Sequence, residues 1–311
     1  MKLSVVTTLY QSAPYIREFI DRIHTEAKKI TEDYEIVMVD DGSPDSSLQL
    51  ALEIQKNDPY VCVIELSRNF GHHKAMMTGL EYTAGELVFL IDVDLEESPE
   101  LLSHFYEEMQ KGEWDVVYGI QKERTGGVIK RLGGQLGWWI IQTLVPVKIP
   151  RNVATVRLMT SSYVRQLVRH KEQSTALSGL WVLTGFHQTG VLFDKLSRQE
   201  STYTFFKRLK ALFDSVTSFS PAPLYGVFTL GLVIFLVSLV TSVTLIFRKI
   251  SGHVLDGWVS VMVSVWGLSG LILLCVGLVG LYISRIFIET KNRPYAIIRN
   301  IFRKHDQIAK E

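Results

Sequence analysis

Cysteine is scarce: Cys62 and Cys275 are the only two in 311 residues. Neither a disulfide framework nor a zinc-ligand spacing can be built from them, which fits a reducing compartment. Net charge is equally low. The 33 Lys and Arg residues nearly cancel 32 Asp and Glu, so no global field points to nucleic acid. Phosphate-cradling glycine patterns are also missing. There is no Walker pattern, and no Gly-x-Gly-x-x-Gly follows the first apolar run, which argues against kinases, ATPases and dehydrogenases. That first run, Leu3–Leu9, is interrupted by Ser and Thr and lacks a cleavage-site pattern, so it reads as a strand and not a signal peptide. Internal repeats and low-complexity segments are absent too.

Long uncharged runs, in contrast, are present near the end of the chain. Leu224–Phe247 holds 24 residues and Gly257–Ser284 holds 28. Both exceed the ~20 residues that span ~30 Å of hydrocarbon, so they are expected to be two transmembrane helices. Lys207, Arg208 and Lys210 precede the first run. Arg285, Lys291, Arg293, Arg299, Arg303 and Lys304 follow the second, while the linker between the runs holds Arg248 and Lys249. This bias predicts a multi-pass protein of the inner (cytoplasmic) membrane with both termini in the cytoplasm.

The first 120 residues alternate short apolar runs with helical patterns. Strands are expected at Leu3–Thr8, Glu35–Val39, Val61–Leu66, Leu87–Ile91 and Val116–Gly119. Helices are expected at Tyr15–Ile30, Ser46–Gln55, His73–Thr83 and Pro99–Lys111. Such alternation predicts an α/β fold with a mostly parallel sheet, whose ligands bind beyond the carboxyl ends of the strands. Two further segments, 128–145 and 201–222, mix aromatic and basic residues in the manner of helices lying in a headgroup plane. An ordinary helix packed on the sheet would account equally well for the first.

Chemistry concentrates at two acid-ended strands. Asp92 and Asp94 follow Val88–Ile91 one residue apart, so extended backbone projects both the same way. Left alone they repel, and Mg²⁺ or Mn²⁺ would resolve the conflict while leaving sites for substrate phosphates. Asp40-Asp41-Gly42-Ser43 ends a second strand, where a carboxylate can accept from base N–H or ribose hydroxyl groups. A plain turn explains either motif alone. Two such ends in one sheet, without a glycine-rich phosphate loop, favour a nucleotide held through metal. His72-His73-Lys74 lacks a third ligand for zinc, leaving either a phosphate or sugar contact or a solvated helix start.

Taken in order, Ser4–Tyr10, Val39–Asp45, Ser67–Gly71, Ile91–Leu95, Asp115–Gly119 and Thr217–Ser220 resemble family 2 glycosyltransferases. The closer similarity is to the polyprenyl-phosphate type, which includes dolichol-phosphate mannose synthase and the O-antigen glucosyl-carrier synthases. The resemblance implies a GT-A domain over residues 1–200, a juxtamembrane amphipathic helix over 201–222, spans at 224–247 and 257–284, and a basic cytoplasmic tail at 285–311. It also implies a nucleoside-diphosphate sugar donor, a divalent cation (Mg²⁺ or Mn²⁺), a polyprenyl phosphate acceptor and an oligomer formed through the membrane segments.

Carried over residue by residue, Thr8, Tyr10, Asp40, Asp41 and Lys74 would bind the nucleotide sugar. Asp92 and Asp94 would be catalytic and, with Glu96, would hold the metal. Family members commonly carry Asp-x-Gly-Asp-Phe-Arg-Leu where this chain has Asn152–Leu158, so Asn152 and Thr155 replace both acids. An Arg common near Ser178–Leu180 is also missing, and Lys130, Arg131, Arg157, Lys207 and Arg208 are the candidates to grip the acceptor phosphate. Two alternatives stay open: transfer to a sugar hydroxyl of a lipid-linked saccharide, and a non-catalytic membrane scaffold that binds nucleotide sugars.

Overall fold

The computed structural model describes residues 1–122, 150–172, 177–195, 222–250 and 257–303. The 128–145 segment with Lys130 and Arg131, residues 201–221 with Lys207 and Arg208, and residues 304–311 lie outside the described residues. The described residues fall into two compact units. Residues 1–122, 150–172, 177–195 and 294–303 form the first, and residues 222–250 and 257–293 form the second.

Within the first unit the chain runs β1 (Leu3–Leu9), α1 (Ile16–Ile30), β2 (Tyr34–Asp40), α2 (Ser47–Asn57), β3 (Val61–Leu66), α3 (His72–Glu81), β4 (Leu87–Leu90), α4 (Leu101–Gln110) and β5 (Val116–Gln121). After residue 150 come β6 (Val153–Thr160), α5 (Ser161–Leu167), α6 (Leu177–Leu183) and β7 (Gln188–Phe193). One eight-stranded sheet results, in the order β7-β5-β6-β4-β1-β2-β3, closed at its far edge by a strand from Ile298–Phe302. Strands β1 to β4 are mutually parallel. β6 runs against both β4 and β5, and β7 runs parallel to β5. Six strands therefore point one way, as the alternating pattern predicts for an α/β fold.

Both faces of the sheet are covered, which is why its strands are apolar almost without interruption. Leu3, Val5 and Leu9 face one way with Ile36, Met38 and Phe89, packing on Phe19, Ile23, Leu102 and Phe105. The alternate positions Val6, Val37, Val39 and Leu90 face Met76, Met77, Leu80 and Tyr163. Helix α1 shows how local pattern meets packing. Its buried residues Ile16, Phe19, Ile20, Ile23 and Ala27 recur at three- and four-residue steps and form one apolar stripe. Each fully buried Leu, Ile or Phe side chain contributes about 1.5–3 kcal/mol.

The turn into α2 is held by one carboxylate. Asp45 accepts from the Ser43 and Ser47 hydroxyls, both at 2.6 Å, and from the Ser47 and Ala13 amides at 3.1 and 3.3 Å. Desolvation opposes its ionisation, but these four donors outweigh it and hold the carboxyl down at about 2. Its stabilising contribution is thus present above the ordinary carboxylate range and is lost as pH falls toward 2. Asp45→Ala is expected to cost about 1–2 kcal/mol at neutral pH. Thermal denaturation checks this, and the deficit should shrink as pH approaches 2.

The second unit consists of α7 (Ala222–Ile250) and α8 (Trp258–Thr290). These helices include the two uncharged runs. Among the described residues one stretch is long and apolar enough to cross a membrane: Gly267–Thr290, with mean hydropathy 2.4. The apolar stretch Ala222–Ile234 in α7 is shorter. After α8, the segment read from sequence as a basic tail contains β8 (Ile298–Phe302), which pairs antiparallel with β3. Glu65 on β3 fastens it, accepting from Arg299 at 3.0 Å and Asn300 at 2.8 Å.

Candidate active site

Register brings the acid-ended strands level. Leu9 pairs with Asp40, Asp40 with Glu65, and Val6 with Leu90, so β1, β2 and β4 present their carboxyl ends along one edge. Thr8, Asp40 and Asp41 are buried there, while Tyr10 is exposed.

Asp41 Oδ1 accepts the Phe70 amide at 2.7 Å and Oδ2 the Gly71 amide at 3.0 Å. Burial raises its proton affinity, and the two amides offset part of that. Gly42 lets this turn sit against the 67–71 loop. Its φ is +64°, and a Cβ would lie 2.6 Å from the Asn69 nitrogen and 2.7 Å from the Arg68 carbonyl carbon. Asp40 is less well satisfied. Oδ2 accepts the Ser43 amide at 3.3 Å, whereas Oδ1 is buried without a partner. Burial pushes this carboxyl up to about 6. A buried acceptor in that condition suits a ligand that brings a donor, such as a base N–H or a hydroxyl.

The second acidic turn carries backbone strain. Leu95 adopts φ +59° with its side chain buried, a conformation unusual for a branched residue. Burial of Leu95 fixes the turn while Asp94 Oδ1 accepts the Glu96 amide at 3.0 Å. Desolvation raises the Asp94 carboxyl, and neighbouring Asp92 adds to this. Glu96 does not stand free as a ligand: its Oε2 lies 2.9 Å from Lys195 Nζ. Glu97, which sequence reasoning passed over, is buried. Its Oε1 accepts the Thr155 amide at 3.2 Å, and its Oε2 has no partner. Burial first, then the charge of Asp92, drives its carboxyl well above the usual range.

His72 links the end of β1 to the second acidic turn. Its Nδ1 lies 2.9 Å from Thr8 Oγ1 and its Nε2 3.2 Å from Asp92 Oδ1. Burial works against a charged imidazole, but Asp92, Asp41 and Asp94 outweigh it and raise the proton affinity. The sequence left this residue between a ligand contact and a solvated helix start. Only the fold brings it between Thr8 and Asp92. Lys74, two residues on, lies with its ammonium 5.2 Å from the centre of the Tyr295 ring, contributed by the chain after α8.

Among the described residues no three His, Cys, Asp or Glu side chains converge as a ready-made metal site. The donor chemistry nevertheless fits a divalent cation. Asp92 and Asp94 place two carboxyls side by side, that of Asp94 raised by burial and by Asp92, and Glu97 adds a buried carboxyl with an orphaned oxygen. Arg157, nominated from sequence as a phosphate ligand, faces inward. It is 1% exposed, donates to the Thr155 and Ala154 carbonyls at 3.1 Å each, and stacks 3.0 Å from the Trp181 ring centre. Burial lowers its guanidinium to about 9.

Residues 4–169 match the family described as glycosyl transferase family 2. A Mycobacterium tuberculosis protein provisionally named among glycosyltransferases is 49% identical over 303 residues, covering 97% of this chain and 89% of its own length. The SfII prophage-derived bactoprenol glucosyl transferase of Shigella flexneri is 29% identical over 307 residues, covering 97% of this chain and 99% of that protein. Among solved structures, glucosyl-3-phosphoglycerate synthase from M. tuberculosis with phosphoglyceric acid aligns at a TM-score of 0.47 and 16% identity. That alignment covers 69% of this chain and 77% of the synthase.

Proposed function

Because the chain belongs to glycosyl transferase family 2, we propose that it transfers a hexose from a nucleoside-diphosphate sugar, with a UDP-sugar favoured, to polyprenyl phosphate at the cytoplasmic leaflet of a membrane. The observation that carries this reading is the placement of two acidic turns, Asp40-Asp41 and Asp92–Asp94, at the carboxyl ends of β2 and β4, the parallel strands on either side of β1. The apolar stretch Gly267–Thr290 and the similarity to a bactoprenol glucosyl transferase support a lipid-borne acceptor. The product would serve modification of a cell-surface polysaccharide such as an O-antigen. In this reading α7 and α8 form a two-span hairpin.

Asp40 and Asp41 accept hydrogen bonds from the nucleoside, with Thr8, Tyr10 and Lys74 bordering the same donor subsite. Asp92 and Asp94 would hold Mg²⁺ or Mn²⁺, which when bound supplies charge neutralisation for the departing diphosphate. His72 steadies Asp92 through its Nε2 contact. The acceptor phosphate, with a second pKa near ~6, is largely dianionic at neutral pH and needs placement more than a strong base. That agrees with a chain that has Asn152 and Thr155 where relatives have acids. Attack from the side opposite the leaving group inverts the anomeric centre.

Membranes containing the protein, given labelled UDP-glucose, undecaprenyl phosphate and Mg²⁺ or Mn²⁺, are expected to yield a labelled monosaccharide lipid. Label appearing only on a lipid-linked saccharide would replace the phosphate acceptor with a hydroxyl. If no nucleotide sugar donates label to either acceptor, the enzymatic reading of these residues fails.

A further inference from the structure

Lys195 lies two residues beyond β7, a strand parallel to β5 and so ending on the same side of the sheet as β1, β2 and β4. Its ammonium is 2.9 Å from Glu96 Oε2, and the charges of Glu97 and Asp94 also act on it. The side chain is 28% exposed, so the cation reaches the edge where the acidic turns gather. Resting on the proposed transfer reaction, we infer that Lys195 is a phosphate-binding residue, held by Glu96 until a phosphate oxygen takes over its ammonium.

The reason is a mismatch of charge. A phosphate entering beside Asp92 and Asp94 meets two carboxylates, and a divalent cation that balances those two charges leaves the phosphate's own charge without a partner. Arg157, the nominated cation within the described residues, donates to the protein's own carbonyls. Lys195 has three donor hydrogens on a flexible stem, and its Glu96 contact is partly solvated, so a dianionic ligand can displace it. The same geometry accounts for Glu96. Its carboxylate is the resting partner of Lys195 and not a metal ligand. Two phosphates share the required chemistry: the diphosphate of the donor and the headgroup of the lipid acceptor.

The test uses the full chain in detergent. Affinities for UDP, GDP, UMP and Mn²⁺ are measured by calorimetry, and the KM for undecaprenyl phosphate is measured by transfer. Lys195→Ala is expected to weaken one phosphate ligand by about ten- to a hundredfold, with partial recovery in Lys195→Arg. Loss for the diphosphate but not UMP assigns the donor, whereas a raised acceptor KM with unchanged nucleotide affinity assigns the headgroup. Glu96→Gln is expected to leave Mn²⁺ affinity unchanged.

Wild type that binds nucleotide while Lys195→Ala changes neither phosphate ligand would overturn the inference alone. Weaker Mn²⁺ binding in Glu96→Gln would do the same, by returning Glu96 to the metal. Wild type that binds neither UDP nor GDP would remove the transfer reaction, and this assignment with it.

Discussion

Asp94→Asn is expected to lower glycosyl transfer by about 10²–10³-fold while leaving the fold intact. Asparagine keeps the oxygen that accepts the Glu96 amide at 3.0 Å, so the turn around the strained Leu95 survives. What disappears is one negative charge from a cluster in which burial and Asp92 already raise the Asp94 carboxyl. Removing that charge relieves repulsion in the apo protein, so the melting temperature should stay level or rise. Mn²⁺ affinity should fall together with kcat. Loss of activity without loss of Mn²⁺ affinity would move the metal away from Asp94. Retained transfer to the lipid would remove Asp94 from the chemistry altogether.

Much of the sheet was legible because parallel strands covered on both faces are written as short apolar runs. Val61–Leu66 has the expected bounds, and β1, β2 and β4 differ from expectation by single residues at their ends. The acidic turns were legible for the same reason: each directly follows such a run. What stayed hidden depends on distant partners. Ile298–Phe302 sets Arg299 and Asn300 side by side among its apolar residues, with no strand alternation, and reads as basic tail until Glu65 is placed opposite.

Arg157 was a candidate because it is a cation in the segment where the family's acids are replaced, and only the assembled fold turns its guanidinium inward, onto the Thr155 and Ala154 carbonyls and the Trp181 ring. Glu96 and Glu97 could not be told apart in sequence. Adjacent residues point in different directions, so one pairs with Lys195 and the other is buried against Thr155. Buried neutral or half-neutral carboxyls such as Glu97 carry no local signal, since desolvation is a property of the assembled core.

At Asp40, stability and the proposed nucleoside contact oppose one another. Its Oδ1 is buried without a partner, its carboxyl sits at about 6, and burial is the leading cause. A carboxyl raised in the folded chain binds its proton more tightly there than in the unfolded chain. Stability therefore falls as pH rises from about 4 to about 6, and stays lower above that range. Asp40→Asn removes the buried charge but retains an oxygen for the Ser43 amide at 3.3 Å. The substitution also removes the repulsion between Asp40 and the charge of Glu65.

The variant should be more stable than wild type by up to about 2–3 kcal/mol at pH 7–8, with the advantage fading as pH falls to about 4. It should also bind nucleotide about ten- to a hundredfold more weakly, because a charged acceptor for the nucleoside has been replaced by a neutral one. Thermal denaturation across pH 4–8, with and without UDP, reads both effects together. A variant no more stable than wild type at pH 8 would show that the Asp40 charge is compensated in the apo protein. A variant that is stabilised and still binds UDP at full strength would show that the unsatisfied carboxylate serves something other than the nucleoside. The expected result is a protein that gains melting temperature and loses its ligand, because in the proposed donor site the unpartnered oxygen that destabilises the apo fold would be the one the nucleoside satisfies.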